Sequence, residues 1–90
     1  MKKTIITVVG KDTVGIIARV CTFLADNGVN ILDISQTIVS GYFNMMMVTD
    51  TANAAKGTGD LADELDKLGK EMGLSIRAMD EDIFNAMHRI

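Results

Sequence analysis

Short runs of alternating apolar residues are separated along the chain by segments of helical periodicity. The β-branched run Lys3–Val9 predicts a first strand, bounded by Gly10. Asn30–Val39 and Tyr42–Thr49 predict a second and a third strand, joined by a tight turn at Ser40-Gly41. Leu74–Met79 predicts a fourth strand.

Three segments repeat apolar residues at the spacing of an amphipathic helix. The first stripe consists of Ile17, Val20, Cys21 and Leu24, with Val14, Ile16 and Phe23 beside it. The second consists of Leu61, Leu65, Leu68 and Met72, after a small-residue linker at 50–59. A last helix begins at Asp80-Glu81-Asp82 and carries Ile83, Phe84 and Met87 on one side. Asp12 or Thr13 is expected to cap the first helix, Asn27-Gly28 to end it and Gly73 to end the second.

The order β-α-β-β-α-β predicts a ferredoxin-like α+β sandwich. Its antiparallel sheet has the order 4-1-3-2, and both helices lie on one face. We expect residues 1–79 to form this domain and residues 80–90 to be its C-terminal helical extension. A two-residue turn places Val39 opposite Tyr42 and Asp33 opposite Val48. The predicted buried face of the hairpin consists of Leu32, Ile34, Gln36, Ile38, Phe43, Met45, Met47 and Thr49.

The second strand is an edge in this order. It is long, it contains no Lys or Pro, and Asp33 is its only residue of the kind that disfavours pairing of an exposed edge with another chain. We therefore expect a homodimer joined through this edge. The alternative dimer packs back to back through the outer sheet face, which carries Ile31, Val39, Tyr42, Met46 and Val48.

Composition narrows the possible partners. The chain has 90 residues, 48% of them hydrophobic and 23% charged, which is the balance of one globular domain. Its net charge of −3 and its scattered basic residues argue against nucleic-acid binding, and no apolar run is long enough for a membrane helix. Because the single Cys21 excludes an internal disulfide, a reducing cytoplasm is the expected location.

Motifs for catalysis or cofactor binding are weak. The glycines at 10 and 15 have the spacing of a phosphate loop, but Ile16 and Ile17 stand where its Lys and hydroxyl would follow. One histidine, His88, and one cysteine do not make a usual zinc site. Because no pair of a nucleophile and a base can be identified in the sequence, it predicts a protein that is not an enzyme and needs no cofactor or metal.

Two segments carry a resemblance to a known family. Residues 10–17, GKDTVGII, lie between strand and helix, and residues 24–31, LADNGVNI, cross from helix into strand. In this setting they resemble ACT domains over residues 1 to about 79. The chain is most similar to small stand-alone bacterial ACT proteins and to the ACT halves of the glycine cleavage system repressor.

This resemblance implies a regulatory protein that binds an amino acid or another small molecule between two protomers. The implied ligand-binding residues are Asp12, Val14, Gly15 and Ile16 of one protomer with Asn30 and Ile31 of the other. Asp12 would bind the ammonium group of the ligand, and backbone amides near Gly15 would bind its carboxylate. The Asn30 side chain would contact both groups.

The chain departs from the family pattern at two positions. Val14 stands where a Pro is common, and Gly10 where the serine-sensing pattern has a His. Two functions remain open: a homodimeric small-molecule sensor, or a ligand-free subunit that docks a regulated protein partner through the sheet edge and the tail helix.

Overall fold

The fold was analysed in a computed structural model, which describes residues 1–11 and 14–87. The elements, in chain order, are β1 (Lys3–Lys11), α1 (Ile16–Asp26), β2 (Asn30–Val39), β3 (Tyr42–Asp50), α2 (Thr58–Met72), β4 (Leu74–Asp80) and α3 (Glu81–Met87). The strands form an antiparallel sheet in the order β2-β3-β1-β4. The predicted ferredoxin-like fold and strand order are confirmed.

The β2–β3 hairpin has the predicted register from its turn inward. Val39 pairs with Tyr42, and Asp33 pairs with Val48. Ser40 and Gly41 have φ values of 52° and 82°, the two positive angles that a two-residue turn of the favoured type requires. The register shifts between Ile31 and Asp33, so Leu32 is an additional residue in β2 that the alternation did not predict.

The hydrophobic core lies between the helices and one face of β1, β3 and β4, with Ile6, Val8, Met45, Met47 and Ile76 among its buried members. In α1 the buried residues are Ile16, Val20 and Leu24, whereas Ile17 is 38% exposed and Cys21 is half-buried. The predicted stripe was therefore wrong by about one position at its start. Ile16, Val20 and Leu24 are each four residues apart and so share the face of α1 that meets the sheet, and Ile17 and Cys21 lie to one side of that face.

The predicted burial of β2 is wrong. Its partners Phe43, Met45 and Met47 on β3 are buried, but Leu32, Ile34 and Ile38 are between 40% and 59% exposed, and Gln36 is also exposed. Ile34, Gln36 and Ile38 pair with buried β3 residues and so lie on the helix-facing side of the sheet, but β2 is the edge strand and contributes no buried side chain to the core. Leu32 has no partner on β3, and Ile31, which was predicted to face outward, pairs with the buried Thr49 and packs partly against the core. Alternation therefore identified the face correctly from Asp33 to Val39 and failed before the additional residue.

Helix α2 packs against β4 and buries Leu61, Leu65 and Gly69, with Leu68 and Met72 partly buried. It ends at Gly73, whose φ of 72° is the predicted left-handed stop. On its exposed side, Asp66 and Lys70 form an ion pair at 3.1 Å one turn apart, and Lys56, before the helix, pairs with Glu64.

Helix α3 contacts β1 and β4. Ile5 points to the outer face, opposite its neighbours Thr4 and Ile6, yet it is only 4% exposed and stands apart from the main core cluster. We attribute its burial to α3. Of the apolar side predicted for this helix, Phe84 is half-buried, whereas Ile83 and Met87 are 53% and 63% exposed. Within the described residues, no helix has the length and hydrophobicity to cross a bilayer.

Candidate functional site

The loop after β1 supplies one half of the predicted ligand site. Gly15 occupies the N-cap position of α1 with a φ of 87°, a left-handed conformation that favours glycine. A Cβ there would meet no atom within 4 Å, so the backbone is open on that side. The neighbouring Val14 side chain is fully exposed. The predicted helix cap at Asp12 or Thr13, and the ligand role of Asp12, lie outside the described residues.

The start of α1 presents amide groups, and its N-cap residue, Gly15, has no side chain to cap them. Arg19 N–H donates to the Gly15 carbonyl at 3.0 Å, which is the first hydrogen bond of the helix. The amides before Arg19 have no partner within the helix, as at any helix start, and the helix dipole favours an anion there. The side chain of Ile16 is 2% exposed and packs in the core. Ile16 therefore anchors the loop and has only its backbone available to a ligand.

Asn30 and Ile31 supply the other half of the predicted site, at the start of β2. Asn30 is exposed, and Ile31 is partly buried against the core. Asn30 pairs with Asp50, which also pairs with Lys3, whereas Lys11 lies at the other end of β1. The nine residues of β1 span about 27 Å, so one chain holds the two halves at opposite ends of its sheet. The structure does not bring them together within a protomer.

The glycine at position 10 has a packing explanation. Gly10 pairs with Phe43 on one side and Leu74 on the other. An added Cβ would overlap the Leu74 side chain and approach the Gly73 carbonyl at 3.3 Å. A histidine, as in the serine-sensing pattern, would therefore require the Leu74 side chain to move in this chain.

The outer edge of β2 has a feature that the sequence did not reveal. Asp33 Oδ1 accepts a hydrogen bond from the Ile34 amide at 2.9 Å. The Ile34 amide points away from β3, because its hydrogen bond goes to a side chain of its own strand. Sequence reasoning identified Asp33 only as a charge on the edge, since a hydrogen bond between neighbours in a strand leaves no mark on hydrophobic periodicity.

A depression of about 450 Å³ lies at the Asn30 end of the sheet, between 1–3 and 80–82. Lys3 and Glu81 form a pair across it at 3.9 Å, with both side chains more than 40% exposed. Charges of both signs meet there as a solvated surface network. Among the described residues, no group of three potential ligands is arranged to hold a metal ion. His88 lies outside them.

A four-stranded antiparallel sheet with α1 and α2 packed on one face defines the class of this protein as a ferredoxin-like α+β domain. The chain belongs to the ACT domain family, whose model matches residues 2–79. ACT domains in general are regulatory modules that bind small molecules. The resemblance found in the two loop segments is thereby confirmed.

Relatives and solved structures agree with this assignment. A UPF0237 protein of Bifidobacterium longum is 61% identical over 90 residues, which is the whole of both chains. An ACT domain protein from Streptococcus pneumoniae is 40% identical, with a TM-score of 0.82 over 97% of this chain and 98% of that one. A glycine cleavage system transcriptional repressor, described as putative, shares the fold at 23% identity, with a TM-score of 0.77 over 88% of this chain and 45% of its own.

Proposed function

We propose that this chain is a non-enzymatic regulatory protein of the cytoplasm that binds a small molecule, of the amino-acid class, between two copies of itself. One observation carries the proposal. The two halves of the family's ligand site lie at opposite ends of the sheet in one chain, and Val14 in one half and Asn30 in the other are exposed. The amides at the start of α1 and the Asn30 side chain are suited to a zwitterion. Two copies related by a two-fold axis would complete two equivalent sites.

The proposed chemistry follows from the groups on each side. Amides at the start of α1 favour the ligand carboxylate, because they have no partner within the helix and lie at the positive end of the helix dipole. The Asn30 amide has both donors and an acceptor and therefore suits both ends of a zwitterion. Asp12 is proposed to bind the ammonium, with Val14, Gly15, Ile16 and Ile31 forming the remaining walls.

A thermal-shift screen over the amino acids tests ligand binding. A ligand present at 100 times its Kd adds about 2.7 kcal/mol to the free energy of unfolding. For a domain of this size, that corresponds to a rise of about 11–22 °C in Tm. No shift with any metabolite would contradict a sensor and would favour the second candidate below.

The variant Asn30→Ala tests the site itself. Loss of a hydrogen bond to a charged group costs about 1.5–3 kcal/mol, so the ligand found in the screen should bind about ten- to a hundredfold more weakly. Calorimetric titration measures the change. Asn85→Ala is the matched control, because Asn85 is also exposed and lies on α3. Equal binding by Asn30→Ala and the wild type would place the ligand elsewhere.

Light scattering at micromolar concentration tests the homodimer, and Tyr42→Glu separates its two possible geometries. Tyr42 is 51% exposed on the outer sheet face. A charge there should spare a dimer joined through the β2 edge and dissociate a back-to-back dimer.

The second candidate function is a ligand-free subunit that docks a regulated protein. The observation in its favour is α3, where Ile83 and Met87 expose more than half of their apolar surface. A dimer that responds to no metabolite but loses its partner when these two residues become Ser would support this alternative.

A further inference from the structure

The outer face of the sheet has a depression that takes no part in the proposed amino-acid site. Its volume is about 220 Å³, which is smaller than the about 300–1,000 Å³ of pockets for drug-sized ligands. Outward side chains of β1, β2 and β3 surround it, namely Thr7, Val9, Ser35, Thr37, Asn44 and Met46. We propose that this depression is a second ligand site, which binds an adenine nucleoside.

The depression follows from the lengths of the side chains on this face. Serine, threonine and asparagine are short, so the middle of the outer face is low. Tyr42 is the next outward residue of β3 beyond Asn44, and it is 51% exposed. At the opposite end Ile5 is buried, where α3 contacts β1 and β4. The low area is therefore bounded at both ends, which limits its ligand to a small molecule.

The polar groups in the depression are available to a ligand. Within the described part of the chain, the side chains of Thr7, Ser35, Thr37 and Asn44 make no hydrogen bond to the protein. No charged side chain among the described residues lines the depression. Hydroxyl and amide groups both donate and accept hydrogen bonds, so the site suits an uncharged ligand with several polar groups.

Apolar and polar residues alternate in the part of the depression that β1 and β3 form. Asn44 lies opposite Val9, and Met46 lies opposite Thr7. Val9 and Met46 therefore occupy one diagonal, about 7–8 Å long. They are 45% and 42% exposed. A planar ring on this diagonal contacts the Met46 thioether, which favours aromatic rings, and turns its edge to the Asn44 amide. An aromatic heterocycle uses both kinds of residue.

The Asn44 amide distinguishes between heterocycles. It holds a donor beside an acceptor, which is the complement of adenine N7 and N6. Guanine presents two acceptors, O6 and N7, on the same edge and is matched by Arg or Lys instead. Ser35 and Thr37 lie next to Met46 and Asn44 on β2, where their hydroxyl groups suit the hydroxyl groups of a ribose.

Calorimetric titration of the full chain with adenosine tests the site. We expect a Kd of about 0.1–1 mM, as for a small ligand in a shallow site. Guanosine should bind about five- to a hundredfold more weakly, because it lacks the match to Asn44. AMP should bind no more tightly than adenosine, because no described charged side chain lines the depression. Equal binding of the two nucleosides, or tighter binding of AMP, would overturn the assignment.

Asn44→Asp tests the amide with almost no change of shape, because it keeps an acceptor and removes the donor. Ser75→Ala is the matched control. Ser75 is exposed on the same face, opposite Val9 on β4, and does not line the depression. Melting curves check that both variants fold. We expect Asn44→Asp to weaken adenosine binding about five- to a hundredfold and Ser75→Ala to leave it unchanged. Equal affinities of Asn44→Asp and the wild type would contradict the role of Asn44.

An NMR titration of the wild type locates bound adenosine without any variant. The amide signals of Thr7, Asn44 and Met46 should shift, and those of Gly15 and Asn30 should not. Shifts confined to Gly15 and Asn30, or no shift with adenosine at millimolar concentration, would overturn the outer-face site. Neither result touches the proposed function, which is tested separately by the amino-acid screen and Asn30→Ala.

Discussion

Leu24→Ala tests how α1 is oriented on the sheet. Leu24 is fully buried in the core, and the change removes three carbon atoms from it. At about 0.8 kcal/mol per buried methylene, the lost transfer free energy is about 2.4 kcal/mol. The cavity left behind adds to this, so we expect the free energy of unfolding to fall by about 3–4 kcal/mol. That corresponds to a Tm lower by about 12–30 °C.

Ile17→Ala is the matched control on the same helix. It also removes three carbon atoms, but Ile17 is 38% exposed, so solvent fills the space and little cavity remains. Alanine also has the higher helix propensity, which offsets part of the loss. We expect a cost of about 1 kcal/mol.

Urea unfolding followed by circular dichroism measures both variants. Protomer concentration must be held constant, because dimerisation makes the apparent stability concentration-dependent. Equal costs for the two variants, or a cost below about 1 kcal/mol for Leu24→Ala, would refute the orientation in which Ile16, Val20 and Leu24 face the sheet.

Two further predictions concern α2 and the tail. Gly59→Ala should stabilise the protein by about 0.5 kcal/mol, because its Cβ would meet no atom within 4 Å. Gly69→Ala should destabilise it by about 1–3 kcal/mol, because its Cβ would lie 2.8 Å from the Leu74 carbonyl oxygen. Thermal melts measure both variants, and a Gly69→Ala variant that melts at or above the wild type would contradict the prediction. Removing residues 81–90 should expose Ile5 and lower the Tm or weaken the dimer, and an unchanged melting curve and mass would show that the tail is dispensable.

The hairpin and the helix ends could be predicted from sequence because they are local properties of the chain. Alternation over Asn30–Val39 and the Ser40-Gly41 turn determined the register from Val39 to Asp33, since a two-residue turn leaves one way to pair the strands that flank it. Gly73 marked the end of α2 because it adopts a left-handed conformation without a steric penalty. The loop sequences 10–17 and 24–31 also carried the family resemblance.

Only the tertiary structure decided which of those surfaces are covered. Leu32, Ile34 and Ile38 have the pattern of buried residues, but their strand is at the edge of the sheet and beyond the helices, so they remain exposed in one chain. Ile5 alternates outward and yet is buried, which we attribute to α3. The distance between Asn30 and the loop before α1 depends on strand order and direction. Periodicity reports which side of a strand a residue occupies, whereas burial depends on which distant element packs there.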